Sequence, residues 1–309
     1  MKKLAVIIPF LNEGEEVRNT VESIMTHGGD QTEIILINDA STDGYHYEGI
    51  AEDYGACYIE HTKRQGVAAS RDEGVERCTT PYFLLLDGHM RFYDALWIAR
   101  IVGELDENDR QLLCCQTKVL KKGEQGVYEE EKKRIPQGAG IVFCDDEKVM
   151  KPEWRLTDRY PVEKTVDIAC VLGAAYAASK RYWQYLKGLA GLLYYGGDEA
   201  YISMKVWLEG GKCRLMNDVV VGHIYRKTFP YPVEQCDTLY NKLWIAELLL
   251  SVDLKNQVFG KLQKQYAGIY SDSFQQLIEN RKLLQELKAW YRQIFTHSFD
   301  LIVRLNTSR

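Results

Sequence analysis

Apolar residues in the first ninety positions fall into short runs at 5–9, 33–37, 57–59 and 82–86, the length of strands rather than helices. Between them the spacing becomes helical. Val17, Val21, Ile24 and Met25 recur on one face, Asn12 with Glu15 predicts a capping box, and Gly28-Gly29 predicts the stop. Residues 66–78 repeat that helical spacing. Strand runs alternating with helices predict an α/β domain with a mainly parallel central sheet flanked by helices. Such sheets bind ligands beyond the carboxyl ends of their strands. Those ends carry residues 10–13, 38–43, 61–64 and 87–89, and each stretch is polar or charged.

Further on, 111–120 reads as a strand, and 121–164 as a charged, irregular stretch containing Pro136, Pro152 and Pro161. Residues 167–178, 198–209 and 212–223 read as strand, helix and strand. After Pro232 the pattern changes to amphipathic helices at 237–251, 255–266 and 273–294. The expected organisation is an α/β domain over 1–232 and a C-terminal helical extension over 233–309. Leu239, Leu243, Ala246 and Leu250 share a helical face, as do Leu277, Leu284 and Leu287. Packing against the α/β domain is the simplest use of such faces. A homodimer or a docked acceptor is the alternative.

Composition narrows the class. The 309 residues are 46% hydrophobic, enough for a sizeable core, which excludes wholesale disorder. With 39 Lys+Arg against 44 Asp+Glu there is no global basic excess to support non-specific nucleic-acid binding. No apolar run approaches the ~20 residues of a membrane span. Residues 4–10 follow two lysines as in a signal peptide, but they run into Asn12-Glu13-Gly14-Glu15-Glu16 without a small-residue cleavage site. Eight scattered cysteines with no Cys-x-x-Cys pair suit a reducing compartment. The expectation is a cytoplasmic protein, free or peripheral to the inner membrane face.

Three segments carry chemistry. In Asp87-Gly88-His89 the outer side chains point the same way if the chain is extended, so an oxygen and a nitrogen could grip one divalent ion, with Gly88 leaving room for a ligand. A surface turn is the plain alternative. In Val221-Gly222-His223-Ile224-Tyr225-Arg226, His223 is a candidate third ligand or a core histidine, and Arg226 with Lys227 suits a diphosphate or a solvated face. In Tyr194-Tyr195-Gly196-Gly197-Asp198-Glu199, the carboxyls could orient an acceptor or take its proton, or simply favour a helix N-terminus.

Together and in this order, the segments resemble the GT-A glycosyltransferases of the family-two type, and among them the polypeptide N-acetylgalactosaminyltransferases. The resemblance covers about residues 4–231. Ile7-Ile8-Pro9-Phe10-Leu11-Asn12-Glu13 is similar to the nucleotide-binding first strand and turn of that family. Ile35-Leu36-Ile37-Asn38-Asp39 followed by Ser41-Thr42-Asp43 is similar to its second. Arg64-Gln65-Gly66 with Ala69-Ser70-Arg71 resembles its Arg-x-Gly segment, Asp87-Gly88-His89 its Asp-Ser-His motif, and 221–231 its Val-Gly-His…Pro-Tyr segment. Gly173-Ala174-Ala175 is loosely similar to its glycine-rich acceptor-side strand.

The resemblance implies a GT-A fold and metal-dependent transfer from a UDP-sugar to a hydroxyl, with Mn²⁺ or another divalent cation held by Asp87, His89 and His223. It implies a nucleotide-sugar site built from Pro9, Phe10, Glu13, Asp39, Arg64, Arg71, Gly88, Arg226 and Tyr231. Asp198, then Glu199, would contact the transferred sugar or the acceptor. Retention of configuration is implied by the His223 segment; inversion with Asp198 or Glu199 as base is the alternative. The acceptor is open among protein, glycan, lipid carrier and modified nucleobase.

The chain also departs from the family pattern. Tyr195 replaces a tryptophan, Asp198-Glu199 replaces Glu-Asn, Phe229 stands where a histidine is common, and a helical tail rather than a lectin-like domain is expected after residue 232. Two rival classes stand beside this reading. A sugar-nucleotide pyrophosphorylase would need a glycine-rich turn after the first strand, where this chain has Pro-Phe-Leu-Asn-Glu. A non-catalytic nucleotide-sugar-binding protein would be expected to lose the metal ligands.

Overall fold

A computed structural model describes residues 2–307 apart from 125, 131–133, 146, 160–161 and 227. The chain opens with β1 (Leu4–Phe10), α1 (Glu16–Thr26), β2 (Thr32–Asn38), α2 (Glu48–Tyr54), β3 (Cys57–Glu60), α3 (Val67–Arg77) and β4 (Tyr82–Leu86). These four strands lie parallel in the order β3-β2-β1-β4. Every residue of β1 is buried, as expected of a strand covered on both faces. The helix after β1 begins without the expected capping box. Asn12 is drawn away: its Oδ1 accepts from Thr42 N–H at 2.7 Å and its amide donates to Pro230 O at 3.3 Å. Glu15 leads into α1 with no side-chain cap.

The second half of the sheet is built from β5 (Met90–Phe92), α4 (Trp97–Glu107), β6 (Gln111–Gly123), β7 (Gly126–Glu129), then, past an intervening ribbon, β10 (Thr165–Asp167), β11 (Ala175–Ser179), α5 (Lys180–Tyr185), α6 (Asp198–Glu209) and β12 (Lys212–Ile224). Strand β11 inserts antiparallel between β4 and β6, and β12 runs parallel to β6. The expected single strand over 167–178 is thus two short strands. The turn between them leaves the sheet to pass over the site.

The ribbon corrects the expectation of an irregular 121–164. It consists of β8 (Ile135–Cys144) paired antiparallel with β9 (Val149–Thr157). Its prolines are tolerated because this two-stranded sheet has only edges, where a missing N–H need not break a ladder. Pro161 lies outside the described residues.

The C-terminal helices are α7 (Gln235–Leu249), α8 (Val252–Gln265), α9 (Tyr270–Glu279), α10 (Arg281–Ile294) and α11 (Phe299–Thr307). The expected long helix over 273–294 breaks at Asn280, whose amide turns back to Gln276 O. Leu239, Leu243, Trp244 and Ala246 of α7 are fully buried. They share one continuous core with Ile7, Ile35 and Leu85 of the sheet and with α6. The extension therefore packs as part of the same core as the α/β portion. No helix among the described residues is long and apolar enough to cross a membrane.

Candidate active site

The carboxyl ends of β1, β2 and β4, the turn before β11, the start of α6 and the end of β12 converge on a cavity of about 410 Å³. Asp87 follows β4, and its N–H donates to Ala174 O at 3.0 Å. Two residues on, His89 leads into β5. That strand pairs with β12 so that Met90 opposes His223, which brings together two histidines 134 positions apart. Their Nε2 atoms stand 3.0 Å from one another, and His223 Nε2 is 3.4 Å from Asp87 Oδ2. Ligand atoms from Asp87, His89 and His223 all lie within 4.8 Å of one another.

Glu13 explains how His89 is held. Nδ1–H of His89 donates to its Oε2 at 3.0 Å. A carboxylate only accepts, so Nδ1 carries a proton, and Nε2 is the ring nitrogen turned toward His223 and Asp87. Arg226 grips the same carboxylate with both ends of its fork. Burial pushes the Glu13 carboxyl up, but His89 and Arg226 outweigh it and hold it below the usual range. For Asp87, burial again raises, and the hydrogen bond from His223 and the charge of Arg71 win, keeping it ionised. Burial lowers His223 despite Asp87, favouring neutral imidazole, and its Nδ1 is buried without a partner. A carboxylate oxygen and two imidazole nitrogens form a donor set that a divalent ion fits.

Asp198 and Glu199 open α6, after Gly196 and Gly197, both at positive φ. Asp198 is ion-paired with Arg71. Glu199 lies against Gly173, where a Cβ would stand 1.9 Å from its Oε1. Burial and then the charge of Asp198 push the Glu199 carboxyl up to about 8. Asn241 of α7 fixes the preceding segment. Its amide donates to Leu193 O (2.7 Å), Gly196 O (2.8 Å) and Tyr195 O (3.1 Å), and its Oδ1 accepts from Leu193 N–H at 2.7 Å. Gly66 closes the same wall from α3: at φ +94, a Cβ there would lie 2.2 Å from Tyr194 Cα.

Pro9, Phe10, Asp39, Arg64, Gly88 and Tyr231 all line the cavity, with Arg226 and Glu13 beside them. Their side chains are placed differently from one another. Phe10 packs on Tyr47 with centroids 4.5 Å apart. Gly88 sits under Phe10 and Glu13, where an added Cβ would lie 3.3 Å and 3.4 Å from their side chains. Arg64 donates to Pro232 O at 2.7 Å and lies over the rings of Tyr194 and Tyr231. Three residues expected to touch the donor also make close contacts within the protein. Glu13 holds His89 and Arg226. Arg71 is 3% exposed and holds carboxylates. Asp39 accepts from Gln65 N–H (2.7 Å), Gly66 N–H (2.8 Å) and His61 Nδ1 (2.8 Å), so both of its oxygens are occupied. Lys227, expected beside Arg226, lies outside the described residues.

Two residues escaped the sequence reading. His61, just past β3, is clamped between Asp39 and Glu73. Its position at a strand's carboxyl end was the available signal. Trp154 reaches the cavity from β9, 38% exposed, with its ring edge-on to Tyr225 at 5.6 Å. A stretch read as irregular gave no reason to expect it. Opposite, Tyr195, Phe229 and Tyr231 form an aromatic cluster, with centroids 5.1 Å from Tyr195 to Phe229 and 5.7 Å from Phe229 to Tyr231.

With this geometry established, comparison with known proteins identifies the lineage. The family described as Glycosyl transferase family 2 matches residues 5–150. Polypeptide N-acetylgalactosaminyltransferase 10 of Rattus norvegicus is 30% identical over 240 residues, covering 74% of this chain and 39% of that protein. The chain is related to the family-two glycosyltransferases and to the catalytic domains of polypeptide GalNAc-transferases. Its fold is GT-A. The crystal structure of GalNAc-T7 with UDP, GalNAc and Mn²⁺ superposes with a TM-score of 0.78 at 22% identity, over 98% of this chain and 56% of that one. The S. aureus TarS 1–349 structure in complex with UDP-GlcNAc matches with a TM-score of 0.54 at 14% identity, over 98% and 83%. This chain spans about two fifths of the length of the curated relative that it matches.

Proposed function

We propose that this chain transfers a sugar from a UDP-sugar to a hydroxyl group, with a divalent cation, Mn²⁺ first, held by Asp87, His89 and His223. The observation that carries this is the convergence of one carboxylate and two imidazoles at the carboxyl end of the sheet, where the fold binds nucleotides. The bound GalNAc-T7 and TarS structures, one with UDP and the other with UDP-GlcNAc, support the donor class. When bound, the cation neutralises the diphosphate leaving group. Pro9 and Phe10 would wall the nucleoside, and Asp39 would shape that wall through 61–66. Arg64, Arg226 and Tyr231 would meet the phosphates. The aromatic cluster at Tyr195, Phe229 and Tyr231 would exclude water from the donor.

We further propose retention. As placed, neither candidate base is free. Asp198 is occupied by Arg71, and Glu199, with its pKa pushed up to about 8, is mostly protonated at neutral pH. Trp154 and Tyr225 would wall the acceptor side. Cytoplasmic residence is supported by eight free cysteines. A homodimer through the C-terminal helices remains part of the reading, and light scattering tests it against a monomer of 35.6 kDa.

The deciding experiment is a thermal-shift and calorimetric titration with UDP, with Mn²⁺ or with EDTA, followed by a UDP-sugar panel. At 100-fold excess over Kd, a ligand bound only to the folded state adds about 2.7 kcal/mol. The expected result is UDP stabilisation that needs Mn²⁺ and disappears in Asp87→Ala. Equal binding with EDTA would remove the metal from the reading. No binding of UDP at all would favour a protein that holds some other ligand. NMR of the product anomer decides between retention and inversion.

A further inference from the structure

Arg71 stands between the two poles of the site. It projects from α3 with 4% of its side chain exposed. Nη1 contacts the Asp198 carboxylate and donates to Tyr176 Oη at 3.1 Å. Nη2 donates to Asp87 Oδ1 at 3.3 Å and to Gly173 O at 3.2 Å, and the guanidinium carbon lies 5.2 Å from the centroid of the Tyr176 ring. Asp87 is thereby divided. One oxygen faces Arg71, and the other, Oδ2, faces His223. A planar guanidinium presents its donors in a fixed fork, so holding one carboxylate sets where the other must lie.

We propose that Arg71 is a positioning residue that couples the cation site to Asp198, so that cation affinity depends on a carboxylate outside the ligand set. The proposal rests on the metal reading above. The physical argument has two parts. Geometrically, Arg71 turns Asp87 so that a single oxygen is offered to the histidines. Electrostatically, Asp198 balances the guanidinium charge. With Asp198 neutral, Arg71 turns its charge onto Asp87, which then offers less to a cation. Linkage makes this reciprocal: whatever strengthens the hold of Arg71 on Asp198 leaves Asp87 freer for the cation site.

The test reads Mn²⁺ affinity without donor or turnover, by the electron paramagnetic resonance signal of free Mn²⁺, in the full chain. Wild type, Arg71→Lys, Asp198→Asn and the double variant are compared, with thermal midpoints measured on the same samples. Arg71→Lys keeps the charge and loses the fork. It is expected to bind Mn²⁺ about tenfold more weakly, the lower end for loss of an outer-shell partner. Asp198→Asn is expected to weaken binding severalfold, and the two effects are expected not to multiply in the double variant. A merely structural role lowers the midpoint and leaves the folded protein's affinity unchanged. Arg71→Lys within twofold of wild type, or fully multiplicative effects, overturns the proposal. If Arg71→Lys does not fold, Asp198→Asn alone decides: unchanged affinity overturns the coupling. Wild type that binds no Mn²⁺ overturns the metal reading instead.

Discussion

His61 offers the sharpest test of how the nucleoside wall is built. Its Nδ1 lies 2.8 Å from Asp39 Oδ1 and its Nε2 lies 2.9 Å from Glu73 Oε2. Both partners are carboxylates, so both bonds exist together only if both ring nitrogens carry protons. The perturbation is His61→Gln, which has a single donor group. A hydrogen bond to a charged group contributes about 1.5–3 kcal/mol net. The Asp39 bond counts nearly in full because that side chain is 7% exposed. Glu73 is 31% exposed and regains water, so its bond is discounted to under about 1 kcal/mol. The expected loss is about 2–3 kcal/mol. In a chain of 309 residues, with about 2.1 cal/mol/K of unfolding entropy per residue, that lowers the midpoint by about 3–5 °C.

The pH dependence gives the sign. Burial alone would lower the His61 pKa, but Asp39 and Glu73 outweigh it and raise it above 6.5. A raised folded pKa means stability that is fully present below about pH 6.5 and lost as pH climbs through the folded value. Urea unfolding followed by tryptophan fluorescence from pH 5.5 to 9 should therefore show the gap between wild type and variant widest at the acid end. UDP affinity should fall with it, because Asp39 carries the 61–66 segment and Arg64. A gap that stays constant across this range would mean a neutral imidazole and would refute the reasoning, as would a loss below about 0.5 kcal/mol.

Three further outcomes are expected. Gly173→Ala places a methyl 1.9 Å from Glu199 Oε1 and should cut transfer at least tenfold, with a smaller change in UDP affinity; unchanged turnover would show that Glu199 can move freely. In Glu199→Gln, the stability that wild type loses as pH rises from about 4.5 toward 8 should be retained, because a raised carboxyl pKa favours the fold only while the group is protonated; parallel pH profiles of the two proteins count against a buried neutral acid. Truncation after Val233 removes Leu239, Tyr240, Leu243, Trp244 and Ile245, each buried, at about 1.5–3 kcal/mol apiece. Their sum rivals the net stability of a domain, so the fragment should be insoluble, and a soluble, active fragment would show that α7 is dispensable.

The sequence by itself determined the strands at 5–9, 33–37 and 82–86, because a continuous aliphatic run of that length is stable only inside a covered parallel sheet. It also determined Asp87 with His89, which are close along the chain, and the polar ends where a ligand must bind. Local pattern failed where a distant partner competed. Asn12 left its helix to bond Thr42, and the 121–164 stretch became a ribbon whose Trp154 lines the cavity. Only the tertiary structure decided that Glu13, Arg71 and Asp39 hold other residues in place, since each is a charged side chain whose partners come from separate elements. It alone brought His223 to His89, through strand pairing across 134 positions. Composition and spacing encode which residues can do chemistry. Which of them face the ligand depends on long-range pairing of buried charges, and that is fixed when the sheet closes and water leaves.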